Sequence, residues 1–179
     1  VRWQKLPVSY MRTSPEDLDA RIASARAALG SQLVILGHHY QRNEIIKFAD
    51  YRGDSFKLSQ YAASQKEAEH IIFCGVHFMA ETADILSSPW QKVILPNMTA
   101  GCSMADMANI EQAEDCWEHL QNAVDETVIP ITYMNSTAAL KAFCGRNGGA
   151  VCTSSNCESI LTWAWEQSQR ILFFPDQHL

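Results

Sequence analysis

Leu33-Val34-Ile35-Leu36-Gly37-His38-His39-Tyr40, entered from Gly30, is the stretch whose reading decides the fold. Consecutive apolar residues bounded by turn signals describe a short strand covered on both faces, as in parallel sheets. Upstream, Ser14 can cap a helix, Pro15 suits its first position, and Glu16 and Asp17 favour the positive end of its dipole. Leu18, Ile22, Ala25 and Leu29 fall on one face of that helix, and Gly30 ends it. A helix leading straight into a covered strand predicts an α/β fold.

The alternation continues downstream. The pattern predicts helix over 44–51, with Ile45, Phe48 and Ala49 on one side, and Asp54-Ser55 in a turn after Gly53. Helix follows over 58–69, strand over 70–74, helix over 79–86 and strand over 92–95. A longer helix over 104–124 carries Ala113, Trp117, Leu120 and Val124 on one stripe. Strands over 129–133, 150–152 and 171–174 then alternate with helices over 137–144 and 157–167.

Strands alternating with helices imply parallel sheets with right-handed crossovers. The order also repeats. Gly37-His38-His39-Tyr40 is matched about a hundred residues later by Thr132-Tyr133-Met134-Asn135-Ser136. Asp54-Ser55 is matched by Thr153-Ser154-Ser155, and 70–74 by 171–174. The expectation is two copies of a three-layer αβα domain, 1–103 with the N-terminal helix and 104–179 truncated.

Composition narrows the function classes. The chain has 179 residues, 47% apolar and 19% charged, which suits a packed core and not disorder. Net charge is -6 with no basic block, so nucleic acid and anionic membrane are poor partners. No stretch approaches the roughly 20 apolar residues of a membrane span, and no charged-then-apolar leader opens the chain. These features lead to the expectation of a cytoplasmic protein. A start at Val1 and a stop soon after an apolar run suggest a piece of a longer chain, or equally a processed or trimmed one. Cys74, Cys102, Cys116, Cys144, Cys152 and Cys157 form no Cys-x-x-Cys pair and no zinc spacing, so most should be plain thiols.

In open parallel sheets, ligands bind outside the carboxyl ends of the strands. The residues that follow the predicted strands are His38-His39-Tyr40, Gly75-Val76-His77, Gly101-Cys102-Ser103, Tyr133-Met134-Asn135-Ser136, Thr153-Ser154-Ser155-Asn156 and Asp176-Gln177-His178. The polar and nucleophilic groups of the chain thus collect on exit edges. His38 and Tyr40 point the same way if the segment stays extended, and a histidine beside a phenol can move protons or hold a carboxylate. The bland alternative is a satisfied structural pair.

Ser55, Ser154 and Asn156 fall at predicted helix starts, which suit carboxylate or phosphate, although N-capping is the commoner use. Cys102 precedes the predicted helix at 104, where a helix start would favour a thiolate; a buried inert cysteine is the alternative. Met79, Phe78 and Trp117 suit packing better than cofactor contact. No dinucleotide fingerprint or P-loop supports a nucleotide cofactor.

These residues together resemble a known family. Ile35-Leu36-Gly37-His38-His39-Tyr40-Gln41, Gly53-Asp54-Ser55 and Phe73-Cys74-Gly75-Val76-His77-Phe78-Met79-Ala80-Glu81-Thr82-Ala83 are similar to the quinolinate synthase pattern. So are Gly101-Cys102-Ser103-Met104-Ala105, Tyr133-Met134-Asn135-Ser136, Cys152-Thr153-Ser154-Ser155-Asn156 and Pro175-Asp176-Gln177-His178-Leu179. The resemblance implies three αβα domains about a pseudo-threefold axis, the third missing here. It implies condensation of iminoaspartate with dihydroxyacetone phosphate to quinolinate in NAD biosynthesis, and a functional link to L-aspartate oxidase.

It further implies a [4Fe-4S] cluster whose open iron acts as a Lewis acid, with Cys102 as one cysteine ligand and the others outside this chain. His38 matches a substrate-contacting histidine and Tyr40 a tyrosine of acid–base function. Ser55 and Ser154 match carboxylate-binding serines, Tyr133 and Asn135 further substrate contacts, and Met79 an apolar wall. A polypeptide ending at Leu179 would on this reading be inactive. The competing reading is a metal-free α/β module that binds a dicarboxylate or phosphate.

Overall fold

The computed structural model describes residues 6–175. A single turn, α1 (Val8–Met11), precedes α2 (Pro15–Leu29). The Asp17 N–H donates to the Ser14 hydroxyl at 3.1 Å, so Ser14 is the cap its sequence position suggests. Gly30, at φ 53°, ends α2 in a conformation that favours glycine. The apolar stripe of α2 is only partly covered, since none of its residues is buried.

The chain divides into two compact units, Val1–Ala100 and Gly101–Leu179. In the first, β1 (Leu33–His38), α3 (Asn43–Ile46), β2 (Tyr51–Gly53), α4 (Ser55–Ser64), β3 (His70–Cys74), α5 (His77–Leu86) and β4 (Lys92–Ile94) follow in order. In the second come α6 (Ile110–Ala123), β5 (Val128–Tyr133), α7 (Ala138–Arg146), β6 (Ala150–Cys152), α8 (Cys157–Gln167) and β7 (Arg170–Phe174). The division falls three residues before the expected boundary after Ser103.

The expected helix over 44–51 is instead one turn, α3, followed by the strand β2. Asp50 explains the change. Its N–H donates to the Ile35 carbonyl at 2.8 Å, and its carboxylate accepts the Ile35 N–H at 2.8 Å. With those groups committed to β1, the chain leaves the helix and pairs as a strand. A second correction concerns 104–109, which forms turns, because α6 starts only at Ile110. Asn109 and Gln112 make a reciprocal capping box there, with the Gln112 N–H to Asn109 at 2.8 Å and the Asn109 N–H to Gln112 at 3.1 Å.

All strand pairs are parallel, in the orders β2-β1-β3-β4 and β6-β5-β7. β1 and β5 are both central, each flanked first by the strand that follows it and then by the next. This shared order gives the sequence repeat its structural form, an α/β architecture of repeated layers.

Each sheet is covered by helices because its strands are apolar on both sides. In the first unit Leu36, Ile71 and Phe73 are fully buried with Leu58 and Ala62 of α4 and Ala83 of α5. In the second, side chains alternate with period two. Ile129, Ile131, Ile171 and Phe173 meet α8 through Ile160, Leu161 and Ala164. Leu172 and Phe174 join Ala113 and Trp117 of α6 and Leu140 and Phe143 of α7. The Trp117, Phe143 and Phe174 rings meet edge to face at 5.6 and 6.0 Å. Packing therefore accounts for Trp117.

Pro130 stands within the central strand β5, which lacks an N–H there. Its pairing with β6 begins only at Ile131 with Ala150, so no ladder bond to β6 is lost. The approach is close: a Cβ on Gly149 would lie 1.7 Å from the Pro130 carbonyl oxygen.

Candidate functional site

In the first unit, β1 is joined to β2 on one side and β3 on the other, so the chain reverses its winding at the carboxyl ends of β1 and β3. That reversal leaves a crevice where ligands bind in open sheets. His38 is the last residue of β1, and its strand partner is Gly53 at the end of β2. Asp54 caps α4 by accepting the Lys57 N–H at 2.9 Å, and Ser55 is the first residue of that helix.

The strand does not remain extended to Tyr40. The Gln41 N–H donates to the His38 carbonyl at 2.9 Å, closing a turn. That turn, not strand alternation, brings the rings together, with centroids 3.9 Å apart and tilted by 41°. His38 is 5% exposed and Tyr40 52%, so one ring is sheltered beneath a phenol open to solvent.

His38 Nδ1 is buried without a hydrogen-bond partner. His70 Nδ1, at the amino end of β3, is buried and unpartnered in the same way, so it is the place of His38 at the exit of β1 that sets it apart. Burial, with a smaller contribution from neighbouring His39, pushes the imidazole down to about 4, while the Asp54 carboxylate opposes the change. At neutral pH His38 is an uncharged base, able to accept a proton or a hydrogen bond.

Met79 lies in α5, buried at 4% exposure, and its sulfur is 3.2 Å from where a Cβ of Gly75 would stand. It packs beneath the turn after β3.

In the second unit, Tyr133 ends β5 and its phenol hydrogen-bonds the Ser154 hydroxyl, which lies beyond β6. Asn135 is half-buried in the turn after β5, next to the buried Ser136, whose hydroxyl donates to the Tyr133 carbonyl at 2.7 Å. Asn156 precedes α8, but its side chain does not cap that helix. Its oxygen instead accepts the Thr153 N–H at 2.6 Å and the Thr153 hydroxyl at 3.0 Å, which fixes the Thr153–Asn156 turn and holds Ser154 outward. The exit-edge residues Asp176-Gln177-His178 lie outside the described residues.

Cys102 is half-buried and free, in the turns ahead of α6. Its carbonyl accepts the Asp106 N–H at 3.0 Å. The helix start expected beside it is displaced to Ile110, so the dipole argument for its thiolate has no geometric basis. Burial pushes Cys144 and Cys152 up to about 12 and raises Cys74, as for inert core thiols. Among the described residues no three His, Cys, Asp or Glu side chains gather where they could hold a metal ion.

A cleft of about 640 Å³ opens at the other end of the first sheet, lined by Gly30, Leu33, Asp50, Gln65 and Ala68 among others. It sits at the amino ends of β1 and β3, away from the exit edges, and gathers none of the candidate residues. Sequence reasoning missed Asp50 as a structural carboxylate and Asp54 as the neighbour of His38. The Ala49-Asp50 and Gly53-Asp54-Ser55 runs carried the available signal.

Repeated open parallel sheets with polar groups at their exit edges define an α/β protein of the open parallel-sheet class. Residues 20–179 match the family model described as quinolinate synthetase A protein, and the chain belongs to that family. It is 60% identical over 179 residues, 99% of its length, to a quinolinate synthase of Corynebacterium glutamicum, covering 45% of that protein. It is 57% identical to those of Halalkalibacterium halodurans and Bacillus anthracis, over 98% and 97% of the chain and 48% and 47% of theirs. The chain thus spans about half the length of the curated relatives it matches. No helix among the described residues is long and apolar enough to cross a membrane.

Proposed function

We propose that the full protein to which this chain belongs is a quinolinate synthase of NAD biosynthesis, condensing iminoaspartate with dihydroxyacetone phosphate. The observation that carries the reading is the buried His38, its ring tilted against that of Tyr40 at the exit of β1. In this reading the neutral imidazole contacts substrate and the phenol serves as acid or base. Ser55 and Ser154 hold carboxylates, Tyr133 orients Ser154, Asn135 adds a polar contact, and Met79 backs the apolar wall. His38 loses little water on contact because burial has already excluded it.

Cys102 is a free, half-buried thiol, and no three metal-binding side chains gather among the described residues. Cys102 would be one ligand of a [4Fe-4S] cluster completed by cysteines outside this chain. Such a cluster, when bound, supplies Lewis acidity at an open iron. The reading also places the protein in the cytoplasm, drawing iminoaspartate from L-aspartate oxidase.

The test is anaerobic expression of the full-length protein. Expected are a brown, oxygen-labile product, quinolinate from the two substrates, and loss of both colour and product in Cys102→Ser. A colourless full-length protein that forms no quinolinate would overturn the proposal. Dicarboxylate affinity unchanged in Cys102→Ala, with no iron at any chain length, would favour a metal-free binding module.

A further inference from the structure

Cys152 closes β6, fully buried, and Cys157 opens α8, half-buried; both thiols are free. The chain doubles back between them. The Asn156 N–H donates to the Thr153 carbonyl at 3.2 Å, and the Asn156 side chain accepts the Thr153 N–H at 2.6 Å, closing the Thr153–Asn156 turn. On α8, Cys157, Ile160, Leu161 and Ala164 recur at helical spacing and share the face turned to the sheet. That face packs on the cluster that holds Ile129, Ile131 and Cys152, and the Cys152 thiol hydrogen-bonds that of Cys157. An apolar side chain would fill either place, so packing alone does not call for two thiols.

We propose that Cys152 and Cys157 are a peroxide-responsive dithiol that closes reversibly to a disulfide at the base of the turn carrying Ser154. Cys157, the more exposed, reacts first. Its sulfur attacks hydrogen peroxide, the O–O bond breaks, and Cys157 sulfenic acid forms while the thiol's proton leaves with the other oxygen as water. The Cys152 sulfur then attacks the Cys157 sulfur. The S–O bond breaks, and its oxygen leaves as a second water with the Cys152 proton. Two electrons pass from the thiols to the peroxide. Burial, reinforced by the neighbouring thiol, keeps the proton on Cys152, so alone it stays inert. An oxidised Cys157 gives that proton a place to go, which makes Cys152 the resolving partner. The bond would brace the end of β6 against the start of α8 and restrain the turn that sets Ser154 against Tyr133.

The experiment is thiol mapping in the full-length protein, prepared anaerobically. Cleavage after Arg146 and Arg170 releases 147–170, which holds Cys152 and Cys157 and no other cysteine. After brief hydrogen peroxide treatment, denaturation and N-ethylmaleimide, this peptide is expected to lose both labels and to weigh two hydrogens less than its reduced form. Dithiothreitol should restore both labels. Cys157→Ser should keep Cys152 labelled. Cys152→Ser should leave Cys157 as a sulfenic acid that dimedone captures, and Cys152→Ala serves if the serine variant does not fold. The exposed Cys116 sets the dose. Labels retained on 147–170 at a dose that oxidises Cys116 overturn the inference. So does a bond from either residue to another cysteine, or oxidation to sulfinic acid without a bond.

Hydrogen exchange tests the brace. The amides over 153–156 should exchange severalfold more slowly in the oxidised protein, and equal rates would overturn the effect on the turn. Neither readout needs substrate or cluster, so failure of the proposed reaction and failure of this inference are read separately.

Discussion

His38 carries a cost that pH should reveal. In the folded state its proton affinity sits near pH 4, against 6.5 for an unperturbed histidine. Between those values the unfolded chain binds more protons, so stability falls as pH drops through that window. The loss from this group is at most about 3 kcal/mol. His38→Gln, which cannot titrate, should flatten that part of the curve. Urea unfolding at pH 7 and pH 5 measures it, and equal slopes for wild type and variant would remove His38 as the cause. The sequence placed His38 at a strand exit, but not its burial. Burial depends on the turn closed by Gln41 and on the Gly53 partner, neither of which a local pattern displays.

At the level of elements, α2 shows how polar bonds replace missing burial. None of its residues is buried, yet Arg26 donates to the Phe48 carbonyl at 2.8 Å and pairs with the Asp50 carboxylate. Asp50→Ala severs that pair and leaves the Ile35 N–H of β1 without its side-chain acceptor. A loss of about 2 kcal/mol is expected, with faster hydrogen exchange in α2. Unchanged exchange there would mean that α2 is held by something else.

Gly149→Ala is the harsher change. Its Cβ would meet a backbone oxygen at 1.7 Å, so β6 must shift or the Pro130 peptide must move. About 3 kcal/mol or more should be lost, read as a lower denaturation midpoint. The long apolar strands and capped helices were legible in sequence because their signals are local. β3, β6 and α8 begin and end at the residues their patterns indicate. β2 was not legible, since Tyr51-Arg52-Gly53 becomes a strand only through Asp50 and its bonds to β1. The start of α6 went astray for a related reason: apolar periodicity runs back through Met104 and Ala105, and the Asn109–Gln112 box overrides it.

For the whole molecule, the matching order of three strands in each sheet carries a functional consequence. Each sheet brings its own polar set to its own exit edge, His38 with Tyr40 in one and Tyr133 with Ser154 in the other. If the second set meets an anionic ligand, a change there must weaken binding without disturbing the fold of its unit. Tyr133→Phe removes one hydroxyl and frees Ser154, while the ring keeps its place against the second core. In the full-length protein this should raise KM roughly tenfold, the worth of one or two hydrogen bonds to an anion, and leave iron content untouched. Steady-state kinetics on the wild-type and Tyr133→Phe proteins decide it. A Tyr133→Phe protein with wild-type KM would place the second exit edge outside the binding site.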